Sequence, residues 1–277
     1  MIYIVTALAV EAIPIIKNFQ LKKDISYTKF DMFKNDEVRL IISGTGKIKS
    51  AMAVMYLLGK ESPRPEDRIV NYGIAGSGVE THKIGESFLM IKVEDHITGK
   101  KFYPETTFKH AFKEQSVITY DRPVKRKEAV KPPQCLVDME ASGFYDAASL
   151  YFQTHKIHII KSVSDYLRGD KLSSAFVQSI TEKAVPLLRN FLISSSKTIT
   201  PDANVMNPKD YNLFENLSSE LKLSTTQRYQ VLDLIKGYKI RSGNDIDFLK
   251  SYIKKKGNTK VENKKILEEI VDKLEEV

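Results

Sequence analysis

The chain has 277 residues and a formal charge of +8, with 42% hydrophobic and 28% charged side chains, enough length to bury a core without disulfide or metal staples. Its one cysteine, Cys135, excludes an intrachain disulfide and a cysteine-based zinc site, and the five histidines (His82, His96, His110, His155, His158) have no ligand spacing, so no metal and no cofactor are expected. The longest N-terminal apolar run, Ile2 to Val10, is too short to span a bilayer and lacks the flanks of a signal peptide, so no membrane partner is expected and the cytoplasm is the simplest location.

In chain order, Ile2–Leu8 is an apolar run that reads as a buried first strand. Val10, Ile13 and Ile16 then adopt helical spacing, with Pro14 compatible with a first turn. Tyr27–Phe33 and Val38–Ser43 flank Lys34-Asn35-Asp36, the pattern of a hairpin. After Gly44-Thr45-Gly46, the spacing predicts a helix over Lys47–Gly59 with Ile48, Met52, Met55 and Leu58 inward. Arg68–Tyr72 reads as a strand ending at the turn Gly73–Gly78, and Ser87–Val93 as another. Ser116–Tyr120 and Cys135–Val137 are short strand candidates, Met139–Phe152 a helix, Ile157–Val163 a strand and Phe176–Leu192 a long apolar-periodic helix. Strands alternating with helices imply an α/β fold with a largely parallel sheet. The strand ends at 44–46, 73–78 and 164–165 would gather at one edge, where such sheets bind ligands.

The composition changes at Ser194-Ser195-Ser196. We read 1–195 as an α/β domain, 196–208 as a linker and 209–277 as a small all-helical domain. In the last, Leu213, Leu217 and Leu221 share a face, and Ser224-Thr225-Thr226-Gln227 has capping-box form before Tyr229, Leu232 and Ile235. The helical part is nearly neutral, with 14 Lys/Arg against 13 Asp/Glu over 201–277, so the basic excess belongs to the first 200 residues. It concentrates in 100–131, where nine basic side chains stand against Glu105, Glu114, Asp121 and Glu128. A solvated surface and a site for an anionic partner such as nucleic acid both fit that run.

Carboxylates at the ends of apolar strands are candidates for acid–base chemistry. Glu11 follows the first strand, Glu140 opens a helix and Asp165 ends the strand Ile157–Val163. Each also has a purely structural reading, as a first-turn residue facing a helix dipole or as a cap. Gly44-Thr45-Gly46 lacks the third glycine of a dinucleotide fingerprint, because Lys49 stands there, and Gly73-x-x-Gly76-x-Gly78 has the wrong spacing.

Five ordered stretches go further: Ile4–Glu11; Ser43-Gly44-Thr45-Gly46-Lys47 with Ala51-Met52-Ala53; Asn71–Gly78; Lys83-Ile84-Gly85-Glu86; and Val137-Asp138-Met139-Glu140-Ala141-Ser142 followed by Ser162-Val163-Ser164-Asp165. Over residues 1–195 this order resembles the nucleoside phosphorylase/nucleosidase superfamily, and most of all the 5′-methylthioadenosine/S-adenosylhomocysteine nucleosidases. The resemblance implies a three-layer α/β/α fold with a twisted central mixed sheet, and hydrolysis of the N-glycosidic bond of a purine nucleoside. It implies that Glu11 activates water, that Glu140 holds ribose hydroxyls with Met139 packed on the sugar, and that Asp165 protonates the base, placed by Ser164. Gly44, Gly46, Ala75 and Gly76 would floor the nucleoside pocket. Only 44 residues separate Val93 from Asp138, too few for the family's base-stacking aromatic, which makes Tyr120 the expected replacement. The resemblance also implies a homo-oligomer, commonly a dimer. A purine nucleoside phosphorylase of the same fold, and a nucleoside- or nucleic-acid-binding protein derived from it, remain as alternatives.

Overall fold

Strands that are apolar on both faces must be covered on both sides, and the first, fifth and last strands of this chain have that character. The computed structural model describes all residues except 107, 127–133, 170, 198–204, 256, 258 and 276–277. Most of the expected linker, and Lys127, Glu128 and Lys131 of the basic run, thus lie outside the described residues. The elements are β1 (Ile2–Thr6), α1 (Ala9–Phe19), β2 (Lys22–Lys23), β3 (Met32–Lys34), β4 (Val38–Ile42), α2 (Lys47–Glu61), β5 (Arg68–Ser77), β6 (Ser87–Asp95), β7 (Lys101–Phe102), β8 (Lys113–Thr119), β9 (Leu136–Asp138), α3 (Ala141–Ala148), β10 (Ile157–Asp165), α4 (Ser174–Lys197), α5 (Pro208–Glu220), α6 (Thr225–Ser242), α7 (Leu249–Lys254) and α8 (Lys260–Glu275).

The fold is mixed α/β around one central sheet. β1 lies between β4 and β5, parallel to both, with Ile4 opposite Leu40 and Val70. β10 runs parallel to β5, β6 antiparallel to β10, and β8 parallel to β6. β9 joins β8 in parallel and meets the end of β5 antiparallel at Gly76. Because β5 pairs with both β10 and β9, five strands curl into a ring, and β1, β4, β3 and β2 extend the sheet outward. The β3–β4 hairpin forms where its residues direct it: Asn35 Oδ1 accepts from the N–H groups of Glu37 and Val38 at 2.9 and 2.7 Å.

Four elements depart from the sequence expectation, the first being the leading strand of the hairpin, which was expected over Tyr27–Phe33 and forms only over Met32–Lys34. α1 continues through Pro14, its sixth residue, although proline supplies no N–H to the preceding turn. β5 does not stop at Tyr72; the Gly73–Ser77 stretch is strand, and its glycines serve close approach rather than a turn. α2 is rotated from the expected orientation, and of Ile48, Met52, Met55 and Leu58 only Leu58 is buried. Ser50, Ala53, Val54, Leu57 and Leu58 are buried, whereas Ile48, Met52 and Met55 are 72%, 57% and 39% exposed. Both faces of α2 are apolar, so periodicity alone does not choose between them. Tight packing does: a Cβ on Gly143 of α3 would lie 2.1 Å from the Lys47 carbonyl oxygen, so the two helices meet backbone to backbone there.

The chain forms two compact units, Met1–Pro104 with His110–Ser194, and Glu105–Lys109 with Ser195–Val277. Helix occupies both ends of the 196–208 stretch, since α4 runs to Lys197 and α5 starts at Pro208. In the second unit Leu213, Leu217, Leu221, Ile235, Ile246, Leu249, Ile270 and Leu274 are buried, and Val231 and Leu234 take the place expected for Tyr229, which is exposed. The Ser224–Gln227 capping box forms in both directions. No helix among the described residues is long and apolar enough to cross a membrane.

The inward face of α2 can be checked directly. Leu57→Ala removes a side chain with 0% exposure and is expected to cost about 2–5 kcal/mol in chemical denaturation; a loss below about 0.5 kcal/mol would mean that Leu57 does not face the core.

Candidate active site

Glu11 stands in the first turn of α1, just past the end of β1, and is 2% exposed. Its Oε2 accepts from the N–H groups of Ala7 and Leu8 at 3.1 and 2.8 Å, so the side chain reaches back over the start of its own helix. Its Oε1 accepts from Ile74 N at 2.9 Å, which ties it to β5. The missing side chain of Gly73 makes room, since a Cβ there would sit 3.1 Å from Glu11 Oε1. Burial pushes the Glu11 pKa up to about 7, against the pull of the Ile74 and Leu8 N–H groups and of Lys161.

Lys161, in the middle of β10, is 1% exposed. Its Nζ lies 2.8 Å from Asp138 Oδ2 and 3.7 Å from Glu140 Oε2. Burial disfavours the ammonium, but Asp138, Glu140 and Glu11 outweigh it and raise the lysine pKa. Asp138 also accepts from Ala141 N at 2.8 Å at the start of α3, and from Thr119 Oγ1 at 2.7 Å. Glu140 is 6% exposed, and its Oε1 accepts from Gly46 N at 3.0 Å. Burial raises the Glu140 pKa, while Lys161 pulls it down.

Asp165 is aimed by an irregularity in its strand. Val163 pairs with Ala75 and Asp165 with Gly76, so Ser164 is the extra residue of a bulge. Ser164 Oγ lies 2.6 Å from Asp165 Oδ2 and 3.1 Å from the Ala75 carbonyl oxygen, and Leu167 N donates to Asp165 Oδ1 at 2.8 Å. A Cβ on Gly76 would fall 2.3 Å from Leu167 Cδ2 and 3.1 Å from Asp165 Oδ1.

The carboxylates, but not Lys161, share a cavity of about 290 Å³ at the carboxyl ends of β1, β5 and β10. Glu11, Glu140, Asp165, Met139, Ser164, Ala75 and Gly76 all line it. Gly44 and Gly46 do not; Thr45 between them does. Both glycines hold positive φ, 79° and 107°, and Gly46 serves the site through its N–H on Glu140. Tyr120 is not among the lining residues. Its ring stacks on His96 at 3.9 Å between centroids, while Arg122, Pro123, Val124, Leu167 and Leu172 line the cavity and no aromatic residue does among the described ones. Sequence reading missed Lys161 and Asp138. The signal for Lys161 was present, a lysine inside the apolar strand Ile157–Val163; Pro123 and Val124 sit in a loop without periodicity and carried none.

No family model matches the chain, and no curated protein matches it. Solved structures do. A 5′-methylthioadenosine/S-adenosylhomocysteine nucleosidase from Helicobacter pylori, crystallised with butyl-thio-DADMe-Immucillin-A, superposes with a TM-score of 0.58 at 17% identity, over 69% of this chain and 97% of that one. The nucleosidase from S. pneumoniae with a transition-state inhibitor gives 0.59 at 20% identity, over 70% and 98%. Futalosine hydrolase of Helicobacter pylori gives 0.58 at 18%, over 69% and 97%. The chain therefore has the nucleoside phosphorylase/nucleosidase fold, with about three tenths of its length outside the match.

A buried ammonium among carboxylates is costly to remove. Lys161→Met leaves Asp138 and Glu140 facing each other and is expected to destabilise the chain by about 3–5 kcal/mol in urea titration at pH 7; a neutral result would mean the carboxylates do not depend on it.

Proposed function

We propose that the chain hydrolyses the N-glycosidic bond of a purine nucleoside, of the methylthioadenosine or adenosylhomocysteine kind, and releases the free base. The observation that carries this reading is the enclosure of Glu11, Glu140 and Asp165 in one cavity, each with different partners. The fold shared with nucleosidases supports it.

The chemistry divides among the three carboxyl groups. Cleavage passes through a cationic sugar, so the base must be protonated as it leaves while water approaches the opposite face. Asp165, backed by Ser164 and the Leu167 N–H, gives its proton to the purine ring. Glu11 takes a proton from the attacking water, whose hydroxyl ends on C1′. Glu140 accepts hydrogen bonds from the ribose hydroxyls and favours the positive charge that develops on the sugar, with Met139 against its apolar face. Lys161 keeps Glu140 and Glu11 from rising further in pKa.

The tests are free-base release from a panel of methylthioadenosine, adenosylhomocysteine, adenosine, inosine and futalosine-like compounds, with and without phosphate. Activity that vanishes without phosphate would replace hydrolysis by phosphorolysis. Asp165→Asn is expected to lose most turnover on purine substrates, Glu11→Gln to bind without turnover, and Glu140→Gln to weaken sugar binding as well. Glu11 must be ionised to accept a proton, and its pKa lies near 7. The rate should therefore rise with pH through about 7 and fall off below it; a flat profile from pH 5 to 8 would remove Glu11 from the base role.

A homo-oligomer, most simply a dimer, belongs to the same reading. The exposed stripe of Ile48, Met52 and Met55 on α2 is a surface a second copy would cover. Met52→Lys is expected to shift sedimentation to a monomer, and an unchanged assembly would clear α2 of that role.

A further inference from the structure

We infer that Lys47 and Asp95 form a positioning clamp that holds the Gly46 N–H on Glu140, and through it sets the grip on the sugar. The inference rests on the proposed role of Glu140.

Lys47 is the first residue of α2, directly after Gly46. Its Nζ lies 2.7 Å from Asp95 Oδ2, at the end of β6, and 2.9 Å from Asp121 Oδ1, beyond the end of β8. Asp95 is 6% exposed and is saturated with donors. Thr98 N and Oγ1 reach its Oδ1, both at 2.9 Å, and Ser142 Oγ reaches its Oδ2 at 2.9 Å. Ser142 belongs to the first turn of α3, two residues beyond Glu140, and its N–H goes to Thr119 Oγ1 at 3.0 Å. Thr119 Oγ1 in turn donates to Asp138, the partner of Lys161. The same α3 turn presses on the Lys47 backbone, because Gly143 has no Cβ to hold the Lys47 carbonyl away.

Two contacts of Lys47 thus tie the turn Gly44–Lys47 to the start of α3: its ion pair with Asp95, shared with Ser142, and the backbone contact at Gly143. Gly46, the residue before Lys47, makes the 3.0 Å bond from its N–H to Glu140 Oε1. Gly46 has φ of 107°, so its N–H direction follows how the turn is held rather than a helical hydrogen bond. A carboxylate that has one oxygen fixed by Gly46 and the other near Lys161 has one orientation left to present to two sugar hydroxyls. Releasing Lys47 frees the turn without touching the base side of the cavity, where Asp165 and Ser164 are held by β5 and β10.

The test is a double-mutant cycle on the full chain with a nucleoside that the wild type cleaves, together with binding of free adenine. Lys47→Met is expected to lower kcat/KM by about tenfold, the scale of one charge-assisted contact, mainly through KM. It should leave the Kd of adenine within about twofold, and it should add little to the loss of Glu140→Ala in the double variant. Lys47→Arg, which keeps the charge, should recover most of the loss. Losses that multiply in the double variant, or adenine binding that falls along with the nucleoside, would overturn the clamp and make the pair a general prop. If Lys47→Met does not fold, Asp95→Asn is read against the same two criteria. A wild-type chain that binds no nucleoside overturns the proposed function and the clamp together, whereas an active wild type with multiplying losses overturns the clamp alone.

Discussion

One lysine inside the sheet dictates much of what surrounds it. Lys161 sits in a strand with both faces covered, where an ammonium cannot stand without counter-charge. Asp138 and Glu140 meet that need from the β9–α3 junction, and Glu11 adds to it from the start of α1. Three chain segments far apart in sequence are held to one point by this requirement, and the point is the floor of the cavity. Glu11 is a case of balance: burial lifts its pKa to about 7, and the Ile74 and Leu8 N–H groups and Lys161 hold it from going higher, near where a carboxylate can gain and lose a proton.

Glycine supplies the room that these charges need. At Gly73 the β5 backbone gives way to Glu11, at Gly76 to Leu167 and Asp165, and at Gly143 to the α2 backbone. None of the three has positive φ. Their function is absence of a side chain, not conformational freedom, which is why a strand can run through a stretch that reads as a turn. Gly44 and Gly46 are the opposite case, with positive φ and no place on the cavity wall.

Part of the basic run over 100–131 is paired with carboxylates elsewhere in the chain. Lys100 pairs with Asp146, Lys113 with Glu86 and Arg126 with Glu80, at 2.7–2.8 Å. Such exposed pairs contribute little to stability, but they spend charge locally. Arg122 instead lines the cavity.

The alternation of strands and helices, the capping box at Ser224 and the three strand-end carboxylates were legible because they depend on local pattern and on residue type. The inward face of α2 was not, since Ile48, Met52 and Met55 match helical spacing as well as Ala53, Val54 and Leu57 do. Tyr120 was the replacement that the resemblance implied for a base-stacking ring, yet its partner is His96. The partner of a loop side chain depends on which strand ends converge, and local spacing holds no record of that. By itself the sequence determined an α/β chain with Glu11, Glu140 and Asp165 at the junctions where polar groups must follow buried strands. Only the tertiary structure decided that they share a cavity, that Lys161 and Asp138 bind them into one charge cluster, and that the turn at Gly46 grips Glu140. Those are contacts between residues tens of positions apart, set by strand register and backbone approach.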